Sequence, residues 1–238
     1  MNEDNLYIDE KSGDEPFRFD DAVARVFPDM LRRSIPGYGA TIEAIGSLAA
    51  RYTRPDTNCY DLGCSLGAAS LAMQQGNRAK GVRIIAVDNS DARVAKCRKV
   101  VAGHDAIEVR LDDVRRTPIE NASMVVMNYT LQFLDPDARD AVIDTIYAGL
   151  VPGGLFVLSE KVIDEDAHME ELLVDLHHEH KRRNDYSELE ISRKRAALEN
   201  VLVPETVASH RRRLSAAGFA HSAVWLRYFN FVSIVAIK

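Results

Sequence analysis

Between residues 58 and 162 the chain alternates short, almost wholly apolar runs with longer amphipathic ones. NCYDLG, VRIIAVDNS, IEVRLDDV, ASMVVMNYT and GGLFVLSEKV are brief and rich in Val, Ile, Leu and Met. Each has Gly, Asp, Asn or Ser at an end, the bounds expected of strands. LGAASLAMQQ, DARVAKCRKVVAG and DARDAVIDTIYAGL lie between them and read as helices. Strands that alternate with helices, several of them apolar on both faces, predict a parallel sheet covered by helices on each side. The fold class is α/β, doubly wound.

The flanks carry other patterns. MNEDNLYIDEKSGDEP, residues 1–16, holds six acids and one lysine. It has too little apolar surface to offset its ordering entropy, which predicts a disordered tail ahead of a single domain over 17–238. FRFDDAVARVFPDMLRR has helical spacing with Pro28 as a break, SIPGY is a turn, and ATIEAIGSLAARY is an amphipathic helix. Residues from about 164 to 217 predict a helical insertion of three helices. The first puts Met169, Leu172, Leu173 and Leu176 on one stripe, and the second has Ser187 as N-cap. HSAVWLRYFNFVSIVAIK reads as two β runs hinged near Asn230. Added to a sheet edge, that hairpin gives a mixed, mostly parallel seven-stranded sheet.

Composition narrows the class. With 238 residues, 46% of them hydrophobic, the chain suits one well-buried domain. A net charge of −6 argues against a protein built to grip nucleic acid or an anionic membrane. Cys59, Cys64 and Cys97 make an odd count without metal-ligand spacing, as expected of a reduced, cytoplasmic setting without a bound metal. No apolar run has the length or flanks of a membrane span or signal peptide.

In a doubly wound sheet a ligand lies beyond the carboxyl ends of the strands, where the strand order reverses. Asp61-Leu62-Gly63-Cys64-Ser65-Leu66-Gly67 falls at that end of the first strand, where glycine lets the backbone turn with positive φ and approach a ligand closely. Asp88 ends the second strand, 21 residues after Gly67, and suits the two ribose hydroxyls of an adenosine; Asn89 lies beside it. Asp113 and Val114 close the third strand, a carboxylate for an adenine amino group and an apolar residue for its ring. Asn128 closes the fourth. A dinucleotide site needs G-x-G-x-x-G for a pyrophosphate. Here the pattern is acid-x-G-x-x-x-G, which resembles the first motif of S-adenosylmethionine (SAM)-dependent methyltransferases.

Longer strings carry a closer resemblance. FDDAVARVFPDMLRRSIPGY, YDLGCSLGAASL, VDNSDARVAKCR, NASMVVMNYTLQFL, LSEK, DLHHEHKRRNDYSELEISRKRAALENV and the W-x-x-x-FNF ending together resemble the carboxy-S-adenosyl-L-methionine synthase family, from about Phe17 to Lys238. The resemblance implies a Rossmann-like methyltransferase fold that binds SAM as a substrate. It implies transfer of the carboxylate of prephenate to the SAM methyl carbon, with release of phenylpyruvate. Carboxy-SAM then serves a separate enzyme that carboxymethylates tRNA wobble uridine. A sulfonium acidifies its methyl group, and prephenate loses carbon dioxide and its ring hydroxyl on aromatising, so a dry pocket that holds both partners suffices without a strong protein base.

The same resemblance places SAM contacts on Tyr38, Gly63, Cys64, Ser65, Asp88, Asn89, Asp113, Val114, Asn128 and Arg195. Arg195 is the residue for the new carboxylate, since a guanidinium pairs bidentately with two oxygens. It is expected to reach the ligand within its own chain or from a neighbouring subunit, and a homodimer is expected. Three positions depart from the family pattern: Tyr129 for Phe, Asp185 for Gly and Arg193 for Gln. Asp185 falls in the turn before the Arg195 helix.

Other features have plainer readings. Cys64 is a loop residue, since nothing implies a histidine beside it. His177 and His178 point about 100° apart on a helix and form no ligand pair. Lys181-Arg182-Arg183 and Arg211-Arg212-Arg213 read as solvated helix ends, one of them available to attract a dianionic co-substrate. Trp225 and Tyr228 read as packing on the last strands. The rival readings are a conventional SAM-dependent methyltransferase for a small molecule and a non-catalytic SAM-binding protein.

Overall fold

The computed structural model describes residues 29–198 and 201–238. The predicted tail and the helical spacing of residues 17–28 lie outside the described residues. Residues 29–34 are helical. The chain then turns at Gly37, whose left-handed φ of 74° opens α1 (Tyr38–Tyr52).

Strands and helices alternate from there. β1 (Asn58–Leu62), α2 (Ala68–Gly76), β2 (Arg83–Asp88), α3 (Asp91–Val100), β3 (Ile107–Leu111) and β4 (Ala122–Asn128) follow in order. After a 3-10 turn at Leu131–Phe133 come α4 (Pro136–Gly149) and the long β5 (Leu150–Ile163). α5 (Ala167–Arg183), α6 (Glu188–Leu198), β6 (Glu205–Thr206), α7 (Val207–Ala217), β7 (His221–Tyr228) and β8 (Phe231–Ile237) complete the described chain.

The strand order is β3-β2-β1-β4-β5-β8-β7, parallel through β5, with the β7–β8 hairpin antiparallel at one edge. The mostly parallel, doubly wound sheet read from the sequence is therefore present. It has one strand more than expected. β6 pairs with β5 through Val162 and Ile163, and a two-residue strand is too short to display any period in sequence.

Alternation along each central strand fills two cores. Ile84, Ala86, Met124, Val126, Leu155 and Val157 face α1, α2 and α3, while Ile85, Val87, Val125, Met127, Phe156 and Leu158 face α4 and α7. This is why those strands read as continuous apolar runs. Met124, Val125, Val126 and Met127 are fully buried, each stabilising the fold by about 1.5–3 kcal/mol. α1 and α2 touch through backbone: a Cβ on Gly76 would stand 1.9 Å from the Gly46 carbonyl oxygen.

α5 departs from the amphipathic expectation. Met169 and Leu172 are exposed among the described residues, whereas the buried residues of the helix are His177 and Lys181. α5 presents its polar side inward because that side borders a cavity and not the apolar core. The Ser187 N-cap is present as a capping box. The Glu190 amide donates to Ser187 Oγ at 3.3 Å, and Glu190 Oε2 accepts the Ser187 amide at 2.8 Å.

Candidate active site

A cavity of about 690 Å3 opens beyond the carboxyl ends of β1, β2 and β4, and all ten residues singled out in the sequence line it. It lies where the strand order reverses between β1 and β4.

The loop from Gly63 to Gly67 is fixed from three sides. The Gly63 and Cys64 amides donate to the Val87 carbonyl at 2.8 and 2.9 Å. Asp61 accepts the Ser70 amide at 2.9 Å and the Ser70 hydroxyl at 2.6 Å, which ties the end of β1 to α2. Asp88 Oδ2 accepts the Ser65 amide at 3.0 Å, with Ser65 itself left-handed at φ 50°. Gly63 has φ 82°, and a Cβ there would lie 2.1 Å from Thr130 Oγ1. The cradle leaves room for no side chain.

The strand-end acids are more heavily engaged than their spacing suggests. Asp88 Oδ1 takes the Ser90 amide at 2.9 Å and the Arg93 guanidinium at 2.7 and 2.9 Å. Arg93 also reaches Asn89 Oδ1 at 3.4 Å and lines the cavity. It was missed in the sequence; its signal is an arginine in the first turn of the helix after an acid-ended strand. Asp113 is gripped by Arg115 at 2.5–3.0 Å, which holds its carboxyl below the usual range. Val114 packs partly buried against the core that faces α4 and α7.

Two buried polar atoms on the cavity wall, Ser65 Oγ and Asn128 Oδ1, have no hydrogen-bond partner among the described residues. An unpaired buried polar atom costs about 1–3 kcal/mol, so both suit a ligand that supplies the missing partner. Next to Asn128, Tyr129 adopts φ 58°, rare for a bulky aromatic residue, and its amide is held by the Ser159 carbonyl at 2.7 Å. Its ring stands 6.4 Å from that of Tyr38 and 6.0 Å from that of Phe231. Burial raises the pKa of both tyrosine hydroxyls.

Burial pushes Asp61 up to about 6 against the opposing hydrogen bonds from Ser70. The Cys64 thiol is held well above its ordinary value by hydrogen bonding with Cys97 and then by burial. A thiol so held is a poor nucleophile. The sequence reading of Cys64 as a loop residue gains a physical cause in Cys97, which no spacing argument revealed.

The far wall is cationic. Lys161 from β5, Lys181 from α5, and Lys194 and Arg195 from α6 all line the cavity, with His177 and His178. This corrects one sequence reading: Lys181 is buried and is no solvated helix end. Both histidines border the cavity despite their angular separation. Burial holds His177 and His178 below their usual pKa, with Lys181 the next cause. Arg195 is exposed at the rim of its own chain's cavity.

The departure at residue 185 falls in the turn before α6. Asp185 adopts φ 63°, the left-handed conformation that glycine takes without strain, and the Asn184 and Asp185 carbonyls accept Arg33 at 2.7 Å each. Tyr228 is half exposed, less a packing residue than expected, and its ring covers Gly37. Among the described residues no helix is long and apolar enough to cross a membrane.

Residues 60–154 match the model of a family described as "Methyltransferase domain". A protein from Pseudoalteromonas atlantica named carboxy-S-adenosyl-L-methionine synthase is 56% identical over 225 residues, covering 93% of each chain. One of the same name from Erwinia tasmaniensis is 51% identical, covering 100% of this chain and 98% of its own. The chain belongs to the carboxy-S-adenosyl-L-methionine synthase family.

Solved structures agree on the fold. Human N-acetylserotonin methyltransferase in complex with SAM aligns with a TM-score of 0.65 at 17% identity, over 92% of this chain and 55% of that longer one. An O-methyltransferase family protein from Burkholderia thailandensis gives 0.66 at 15% identity, over 92% and 60%. The carboxy-S-adenosyl-L-methionine synthase family thus uses a Rossmann-like methyltransferase fold here, and the cationic wall is set into that fold by β5, α5 and α6.

Proposed function

We propose that this protein converts SAM and prephenate to carboxy-SAM and phenylpyruvate. The observation that carries the reading is a cavity with two electrical ends. At one end Asp88 and Asp113 are matched by Arg93 and Arg115 and Asp61 is buried without a cation, whereas Lys161, Lys181, Lys194 and Arg195 line the other with a single acid, Glu170, among the described residues. A methyltransferase acting on a neutral acceptor gains nothing from cations near a sulfonium, where like charges repel. An enzyme that brings in carboxylate and keeps it on the product needs them.

On aromatising, prephenate releases carbon dioxide and its ring hydroxyl as hydroxide; the hydroxide takes a proton from the acidified SAM methyl group to give water, and the resulting carbanion forms its new bond to the carbon dioxide. Around them, Asp88 and Asn89 serve the ribose, while Asp113 and Val114 serve the adenine. The Gly63-Cys64-Ser65 loop, Asn128 and Tyr38 serve the methionine portion. Arg195 pairs with the carboxylate of the product. The apolar and aromatic lining, with Tyr38, Tyr129 and Phe231, excludes water from the reacting carbons. A homodimer in the cytoplasm that passes carboxy-SAM to a tRNA-modifying enzyme completes the reading, with no direct grip on nucleic acid.

The test is to denature the purified protein and weigh the nucleotide it releases. Carboxy-SAM supports the reading. Plain SAM or S-adenosylhomocysteine favours a conventional methyltransferase, and no adenosine ligand favours a non-catalytic protein.

A further inference from the structure

The lysines of the cationic wall come from three separate elements, and two are deeply buried: Lys181 is 7% exposed and Lys194 4%. Lys194 is already occupied. Its ammonium donates to Ser34 Oγ at 3.1 Å and to the Tyr186 hydroxyl at 3.0 Å, over the face of the Tyr186 ring. Lys161 and Lys181 make no salt bridge with any described residue, although both border the cavity.

The only acid lining this end among the described residues is Glu170, and its Oε2 is engaged by the Asp164 amide at 2.7 Å. Burial and the neighbouring lysines push Lys181 down to about 7, and burial likewise lowers Lys161. Buried charge is tolerated when paired. Here cations outnumber acids, and the balance is left to whatever enters.

We infer that Lys161 and Lys181, backed by Lys194, form an anion subsite for one carboxylate of a small organic dianion, separate from the rim position of Arg195. The inference rests on the reading that a carboxylate-bearing co-substrate shares the cavity with SAM. It divides the anionic work in two. The lysines anchor the carboxylate that stays on the co-substrate, and Arg195 receives the one that is transferred. Anchoring deep in the wall orients the co-substrate so that its labile carboxylate faces the methyl group.

The experiment compares Lys181→Met and Lys161→Met with the unaltered protein, with thermal melting as a folding control. Steady-state kinetics give KM for prephenate and calorimetry gives Kd for SAM. A second titration uses phenylsuccinate, an unreactive dicarboxylate, on protein loaded with S-adenosylhomocysteine. Each variant is expected to raise KM for prephenate and weaken phenylsuccinate about tenfold or more, the loss of one charged hydrogen bond. SAM affinity should stay within about twofold, and Lys181→Arg should recover most of the loss.

Unchanged KM and phenylsuccinate binding in both variants would overturn the subsite. Equal weakening of SAM would also overturn it, since the lysines would then hold the methionine carboxylate. If the unaltered protein itself makes no carboxy-SAM from prephenate, the failure belongs to the reading beneath it.

Discussion

Arg93 and Asp88 form a buried ion pair, 2.7 Å apart, at the junction of β2 and α3. The other oxygen of Asp88 holds the Ser65 amide. Arg93 therefore sets the carboxylate that sets the glycine loop. Replacing it with Met leaves Asp88 buried beside two amides without its cation, which should destabilise the fold by about 3 kcal/mol. SAM binding should weaken as well. Urea unfolding and calorimetry check both; an undisturbed SAM Kd would show that the loop holds its shape without the pair.

Gly63→Ala should abolish SAM binding and lower the melting temperature, because the new methyl meets Thr130 at 2.1 Å on a backbone of positive φ. Thr130→Ala removes the two nearest atoms, Oγ1 at 2.1 Å and Cγ2 at 2.5 Å, and leaves Cβ at 2.8 Å. The double variant should regain part of the lost stability, and a double-mutant cycle reads the coupling.

The pKa of Asp61, about 6 in the ligand-free protein, gives SAM binding a pH dependence. A cationic ligand prefers the ionised carboxylate, so affinity should fall as pH drops through 6. Stability runs the other way. Its raised folded value favours the protonated form, and Asp61 costs stability as pH rises from its ordinary value of 3.8 toward 6. Asp61→Asn should flatten the affinity profile between these limits, measured by titration at several pH values.

Asp185→Gly should stabilise the protein by about 1 kcal/mol, since a left-handed Asp carries strain that Gly lacks. Both carbonyl contacts with Arg33 come from backbone and survive the change. Denaturant melts give the answer directly.

Arg195→Ala should bind SAM normally and yield no carboxy-SAM. Product formed at the ordinary rate, followed by mass spectrometry, would show that another cation holds the carboxylate.

The sheet was legible because its central strands are buried on both faces, so Ile84 to Val87 and Met124 to Met127 read as unbroken apolar runs. The strand-end polar residues were legible for the same reason, since Asp88 and Asn128 interrupt those runs where the chain leaves the sheet. β6 was not, because two residues carry no period. The lysine wall was not, because Lys161, Lys181 and Lys194 lie on three elements that only the folded chain brings to one cavity. In α5 the helical rule itself misled. It assigns Met169 and Leu172 to the inside, yet the helix turns Lys181 inward to meet a ligand space.

The backbone contact between Gly46 and Gly76 has a mechanical meaning. With no side chain between them, α1 and α2 meet backbone to backbone, so any side chain at Gly76 would force apart the helix that begins at Tyr38 and the helix that follows the glycine loop. An inhibitor extended toward Gly63 would meet a wall without room for a methyl group, since a Cβ there already lies 2.1 Å from Thr130 Oγ1.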